Sequence, residues 1–211
     1  VLIQSLIVII IQKVNPDLNQ DVNFLAYSNL GLISSISSVF GLAFIFLFVK
    51  IKTSDIRKYL NLYTPNLRLS LIFMIISFFL MIFIGFFSKS YPDLFESDFA
   101  IESYKSANNL PLLYIGVVFL GPVFEEFLFR GFLFKGLERS FFGGHFAVLL
   151  SALIFSLIHV QYGILVILVM LFPMAVLLGY ARLKTQSILL PVLLHSINNL
   201  VTCLVTHFEI Y

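Results

Sequence analysis

Residues Leu110–Phe134 read LPLLYIGVVFLGPVFEEFLFRGFLF, and the fold turns on how this stretch is taken. It is long enough to cross a bilayer core as a helix, which takes about 20 mostly apolar residues. Yet it carries Glu125, Glu126 and Arg130 in its second half. A charge at the bilayer centre costs at least about 2.5–3.5 kcal/mol, so such groups face the protein interior and usually serve function. Composition decides between a soluble core helix and a spanning one. The 211 residues are 60% hydrophobic and 11% charged, whereas soluble domains lie near 45–50% and about 25%. A water-soluble globule is excluded. A net charge of only +2 gives no reason to expect a nucleic-acid partner. The single cysteine, Cys203, lies in an apolar run, forms no internal disulfide and is expected as a buried thiol.

Working outward, six stretches are long and apolar enough to span: Phe24–Val49, Leu69–Ser88, Leu110–Phe134, Phe141–Ile158, Tyr162–Ala181 and Ser187–Thr206. A seventh, Val1–Ile11, is apolar but short; it starts on Val, as a trimmed helix would, and lacks the basic region and cleavage site of a signal peptide. No strand pattern appears, and within lipid a lone segment satisfies its backbone only as a helix. The expected fold is therefore all-α: a polytopic transmembrane helical bundle of about seven helices in one integral membrane domain. Residues 1–109 read as scaffold helices, with no ionisable group inside any span; residues 110–211 hold the chemistry. Gly31 and Gly41, with Ser34, Ser35, Ser37 and Ser38, supply small residues for close helix packing.

Loop charges orient the chain. The Lys50–Arg68 link carries Lys50, Lys52, Arg57, Lys58 and Arg68 against Asp55, and the Lys135–Arg139 and Arg182–Lys184 links are also basic. The Gln12–Asn23 link holds Lys13 with Asp17 and Asp21; the Lys89–Asn109 link holds Asp93, Glu96, Asp98 and Glu102 against Lys89 and Lys105. Under the positive-inside rule the N-terminus is cytoplasmic and the His207–Tyr211 tail external.

Within the spans, Glu126 and Arg130 stand four apart on one face, in the order that favours an ion pair. Glu125 lies about 100° round the helix and is less easily neutralised. Two adjacent carboxylates oppose joint ionisation, so Glu126 is expected to be held ionised by Arg130 while Glu125 is left to act as a general base. The alternative is an ion pair that only locks helices. Pro122 is expected to kink the helix just before the doublet. His159 follows Phe155 by four, so the two rings share a face; a snorkelling His at a helix end is the alternative. His195 and Asn199 present an imidazole and an amide on one face, as oxyanion donors or as helix glue. Asn198 points elsewhere and is assigned to packing. His145 and His207, at span ends, and the Gly143–Gly144 turn are assigned no chemistry. At 1.5 Å per residue, Glu125, His159 and His195 lie about 18, 24 and 12 Å from the cytoplasmic end. Tilt or kinks must bring them level if they share a cavity.

Glu125-Glu126-Phe-Leu-Phe-Arg130, Phe155-Ser-Leu-Ile-His159 and His195-Ser-Ile-Asn-Asn199 resemble, in order, the EExxxR, FxxxH and HxxxN motifs of the CPBP family: CAAX prenyl proteases and bacteriocin-processing enzymes, also called Abi proteins. The resemblance covers about residues 110–206. It implies a glutamate-dependent intramembrane endopeptidase that needs no cofactor or metal. Glu125 and His159 would activate a water, His195 and Asn199 would stabilise the oxyanion, and Glu126 with Arg130 would orient the site. Two His and a carboxylate is also a metal set, but no HExxH run occurs. The implied partners are the lipid bilayer and a membrane-bound peptide or a lipidated CAAX protein. Lacking a long soluble insertion, the chain is more similar to prokaryotic members, in a bacterial cell membrane. The rival readings are an inactive bacteriocin-immunity protein and a proton-coupled transporter relaying protons through Glu125, Glu126 and His195.

Overall fold

The computed structural model describes residues 2–14, 22–53, 55–95 and 98–210. Asp17, Asp21 and Glu96 of the acidic links, like Val1 and Tyr211, lie outside the described residues. The described chain is helical throughout. In order, the helices are α1 (Leu2–Val14), α2 (Val22–Ser28), α3 (Leu30–Lys52), α4 (Ile56–Leu60), α5 (Leu67–Ser90), α6 (Pro92–Phe95), α7 (Asp98–Lys105), α8 (Leu110–Glu138), α9 (Gly143–Leu157), α10 (Ile164–Thr185) and α11 (Leu189–Ile210). Five of them, α3, α5, α8, α10 and α11, are long and apolar enough to cross a membrane. The protein is a polytopic helical membrane bundle.

Three elements depart from the sequence reading. The Phe24–Val49 stretch breaks at Asn29, whose side-chain Nδ2 donates to Leu25 O while Ser28 Oγ donates to the same carbonyl. Such local bonds compete with the helix ladder. The Phe141–Ile158 stretch forms a helix of only 15 residues. The Lys89–Asn109 link is not plain loop but carries α6 and α7, which bury Phe95 and Tyr104.

Starts and stops follow from side chains. Asn66 caps α5 by accepting from Leu69 N, and Asn109 caps α8 by accepting from Leu112 N, with Pro111 in the first turn. The links before α5 and before α11 are joined: Asn61 Nδ2 donates to Gln186 O, and Ile188 N donates to Asn61 O. The strongly basic Lys50–Arg68 link and the Arg182–Lys184 link thus lie on one side of the bundle.

Helix α8 is central, packing against α3, α9 and α11, while α10 packs against α5, α9 and α11. The α3–α8 crossing is close because both helices use glycine there. A Cβ on Gly31 would come within 2.5 Å of Leu113 N, and one on Gly116 within 2.6 Å of Gly31 O. Backbone cannot yield as a side chain can, and small residues are how helices gain such contact where lipid supplies no hydrophobic drive. Gly31→Ala is therefore expected to destabilise by about 1–3 kcal/mol through overpacking. Gly85→Ala, whose Cβ would meet nothing within 4 Å, is expected to be neutral or slightly stabilising. Thermal unfolding of the detergent-solubilised protein distinguishes the two.

Candidate active site

Helix α8 carries both glutamates on a single α-helical segment, Gly121–Glu126, set between two wider π-helical stretches, Ile115–Leu120 and Phe127–Leu133. At Pro122, where the sequence reading expects a kink, the helix changes hydrogen-bond register. Gly121 N–H donates to Gly116 O, and Phe134 N–H to Phe129 O, each five residues back. Such π-bulges cluster at functional sites. Carbonyls in both stretches meet side chains of other helices. Gly116 O also accepts from Ser34 Oγ of α3, Val117 O accepts from Asn199 Nδ2 of α11, and Arg130 O accepts from Arg182 Nε of α10.

Glu126 is fully buried, and its Oε1 is shared. Arg130 Nη1 donates to it at 2.9 Å, and His195 Nδ1 lies 2.9 Å from it. Arg130, also fully buried, sends Nη2 to Ala175 O of α10 at 2.9 Å. A carboxylate oxygen that accepts from a guanidinium is an acceptor for its other neighbour too. His195 Nδ1 therefore carries the proton and donates, which turns Nε2 toward Glu125, whose Oε2 is 3.8 Å away. His195 stands between the two carboxylates, oriented by one and facing the other.

His159 sits in the turn just past α9, where its Nδ1 is 2.7 Å from Phe155 O. A carbonyl can only accept, so Nδ1 is the donor and the neutral ring keeps its lone pair on Nε2. The buried Phe155 ring is the spacer of the site. It lies 4.6 Å from the His159 ring, 5.7 Å from His195 and 4.8 Å from the Arg130 guanidinium.

Glu125, His159, His195 and Asn199 line one cavity of about 820 Å³, with Glu126 behind its wall. The three depths that differ on a straight-rod count thus meet in one cavity, because the helices are neither equal in length nor regular: α9 is short and α8 carries two widened stretches. Sequence reasoning missed several contributors. Asn198, assigned to packing, lines the cavity, as do Ile33 and Ser34 of α3 and Tyr27 of α2, so the first half of the chain walls the site as well as supporting it. Phe99 of α7 bridges Tyr27 and Tyr162, at 5.6 and 5.1 Å between ring centroids, and the Tyr162 ring reaches His159 at 6.1 Å. Arg182, read as a link charge, is fully buried and packs 5.3 Å from the Phe134 ring. Nothing in its local sequence separates it from an interface cation. His145 pairs with Tyr180 and His207 with Tyr104, both away from the cavity. Cys203 is a buried free thiol. Among the described residues, no group of three His, Cys, Asp or Glu side chains is placed to hold one metal ion.

Comparison with known proteins bears on this constellation directly. The type II CAAX prenyl endopeptidase Rce1-like family model matches residues 107–201, a segment that contains all three motifs, with Glu125, Glu126, Arg130, His159, His195 and Asn199. The matched segment is similar to this family of CAAX prenyl endopeptidases. No curated protein and no solved structure matches the chain.

Breaking the buried pair tests its weight. Arg130→Met leaves the Glu126 carboxylate buried beside His195 alone and is expected to cost about 3–5 kcal/mol. Arg130→Lys keeps the charge but cannot reach both Glu126 and Ala175 O in a planar fork, and is expected to cost less. Unfolding midpoints in detergent give the order.

Proposed function

We propose that the chain is a glutamate-dependent intramembrane endopeptidase. The observation that carries this reading is the shared cavity: a partly exposed carboxylate, Glu125, and two imidazoles whose Nδ1 positions are tied back, so that Nε2 is the nitrogen each has left for chemistry, that of His195 beside Glu125. A water in this cavity gives its proton to Glu125, assisted by His159 Nε2, and attacks the scissile carbonyl. His195, in its protonated form, donates Nε2–H to the oxyanion as charge develops there. Glu126 and Arg130 hold that imidazole in place, as an orienting carboxylate does for a catalytic histidine, and Phe155 spaces the two rings. The proton on Glu125 then passes to the leaving amine. No covalent intermediate and no cofactor is required. Asn199, the second oxyanion donor implied by the family resemblance, has one amide proton committed to Val117 O.

In this reading residues 110–211 are the catalytic helices, and residues 1–109 are a scaffold that also walls the cavity. The chain resides in a bacterial cell membrane with its N-terminus cytoplasmic. The substrate is a membrane-associated peptide, of which leader–core peptides and prenylated CAAX tails are the two classes to separate.

Purified enzyme is expected to cleave one of these classes. Glu125→Gln should lower the rate by about 10²–10⁴-fold, the usual contribution of a general base, with no loss of unfolding temperature. Full activity in that variant would remove Glu125 from the mechanism. Complete, zinc-reversible loss on chelation would assign the water to a metal. Ion leak from vesicles without cleavage would favour a transporter, and neither activity would favour an immunity protein.

A further inference from the structure

The bond from Asn199 has a cause in the α8 backbone. In an α-helix Val117 O would accept from the amide of residue 121, but Gly121 N–H goes to Gly116 O instead. In a continuing π-helix it would accept from the amide of residue 122, which is Pro122 and has no N–H. Val117 O is therefore left without a backbone donor in either register. It lies within a bundle in a membrane, where no water is at hand to satisfy a carbonyl. Asn199 Nδ2 meets it at 2.9 Å, and on the α3 side Ser34 Oγ meets the neighbouring Gly116 O at 3.1 Å. The widened turn is thus held by one side chain from each flanking helix.

We propose that Asn199 acts on the reaction as a positioning residue, by capping the carbonyl that Pro122 orphans and so fixing the π register of α8. This rests on the endopeptidase reading above. Restoring the α register at the bulge would shift the following helix by one residue, about 100° of rotation. Glu125 would leave the cavity, and Glu126 would leave His195. Because His195 and Asn199 are one turn apart on α11, a single face of that helix grips α8 twice: at the Glu126 carboxylate below Pro122 and at the Val117 carbonyl above it. An amide engaged in this way is part of the resting structure, unlike a donor that finds its partner only in the transition state.

The sequence offers a direct probe. Val117–Val118 is the only Val–Val pair in the chain. Mixed labelling with carbonyl-¹³C and ¹⁵N valine therefore marks one peptide bond, and its carbonyl resonance reports the hydrogen bond to Val117 O in the full-length protein. In Asn199→Ala this resonance is expected to move upfield, as for a carbonyl losing a donor, and cleavage to fall about 10²-fold, as small misplacements of reacting groups do. Pro122→Ala returns an N–H to position 122. In the Pro122→Ala/Asn199→Ala protein the resonance should move back downfield, and cleavage should recover at least about tenfold over Asn199→Ala alone. An unchanged resonance in Asn199→Ala would overturn the proposal, as would a double variant in which it does not return. A returned resonance without recovered cleavage would also overturn it and give Asn199 back to the oxyanion. If the parent protein cleaves nothing, the endopeptidase reading fails, and the resonances alone still decide whether Asn199 caps the bulge.

Discussion

One carboxylate oxygen, Glu126 Oε1, receives both Arg130 Nη1 and His195 Nδ1 while fully buried. Such a group is costly to place in a membrane protein unless every charge on it is matched. The matching draws in α8, α11 and, through Arg130 Nη2 on Ala175 O, α10. Arg182 of α10 returns the contact by donating to Arg130 O. The interaction that neutralises the charge is thus the one that sets three helices in register, and His195 can face Glu125 only because its other nitrogen is anchored there.

Around this anchor the backbone of α8 is irregular in a regular way. Two π-helical stretches flank the segment that bears the glutamates, and each delivers a carbonyl to a side chain from another helix. In water, a freed carbonyl such as Val117 O could be left to solvent. In a bilayer it must be met by protein, and Asn199 is its donor. Ser34 and Arg182 add side-chain donors to Gly116 O and Arg130 O. The first half of the chain is therefore joined to the site by Ser34 and by the Gly31–Gly116 contact, as well as by the cavity wall.

Much of the architecture is legible in one dimension because the bilayer simplifies the code. Long apolar runs mark helices, since lipid admits little else, and charges inside those runs mark the interior. The Glu126–Arg130 spacing and the Phe155–His159 and His195–Asn199 pairs each announce a shared helical face. The break at Asn29, the shortness of α9 and the helices within the Lys89–Asn109 link are not legible in this way, because local side-chain hydrogen bonds and burial against other elements decide them. Tyr27, Phe99, Tyr162 and Arg182 look like ordinary interface residues in sequence, and only the packing of α2, α7 and α10 makes them neighbours of the site.

Taken alone, the sequence determined the class of fold, the helices that carry ionisable groups and the identity of the motif residues, because hydropathy and helical period act over short distances along the chain. The tertiary structure alone decided which nitrogen of each histidine is tied back, that Glu126 rather than Glu125 holds His195, and that Asn199 meets a carbonyl. Those outcomes depend on where one helix's backbone loses its own hydrogen bond and which neighbour stands there to replace it. That is settled between helices distant in sequence, where no local spacing records it.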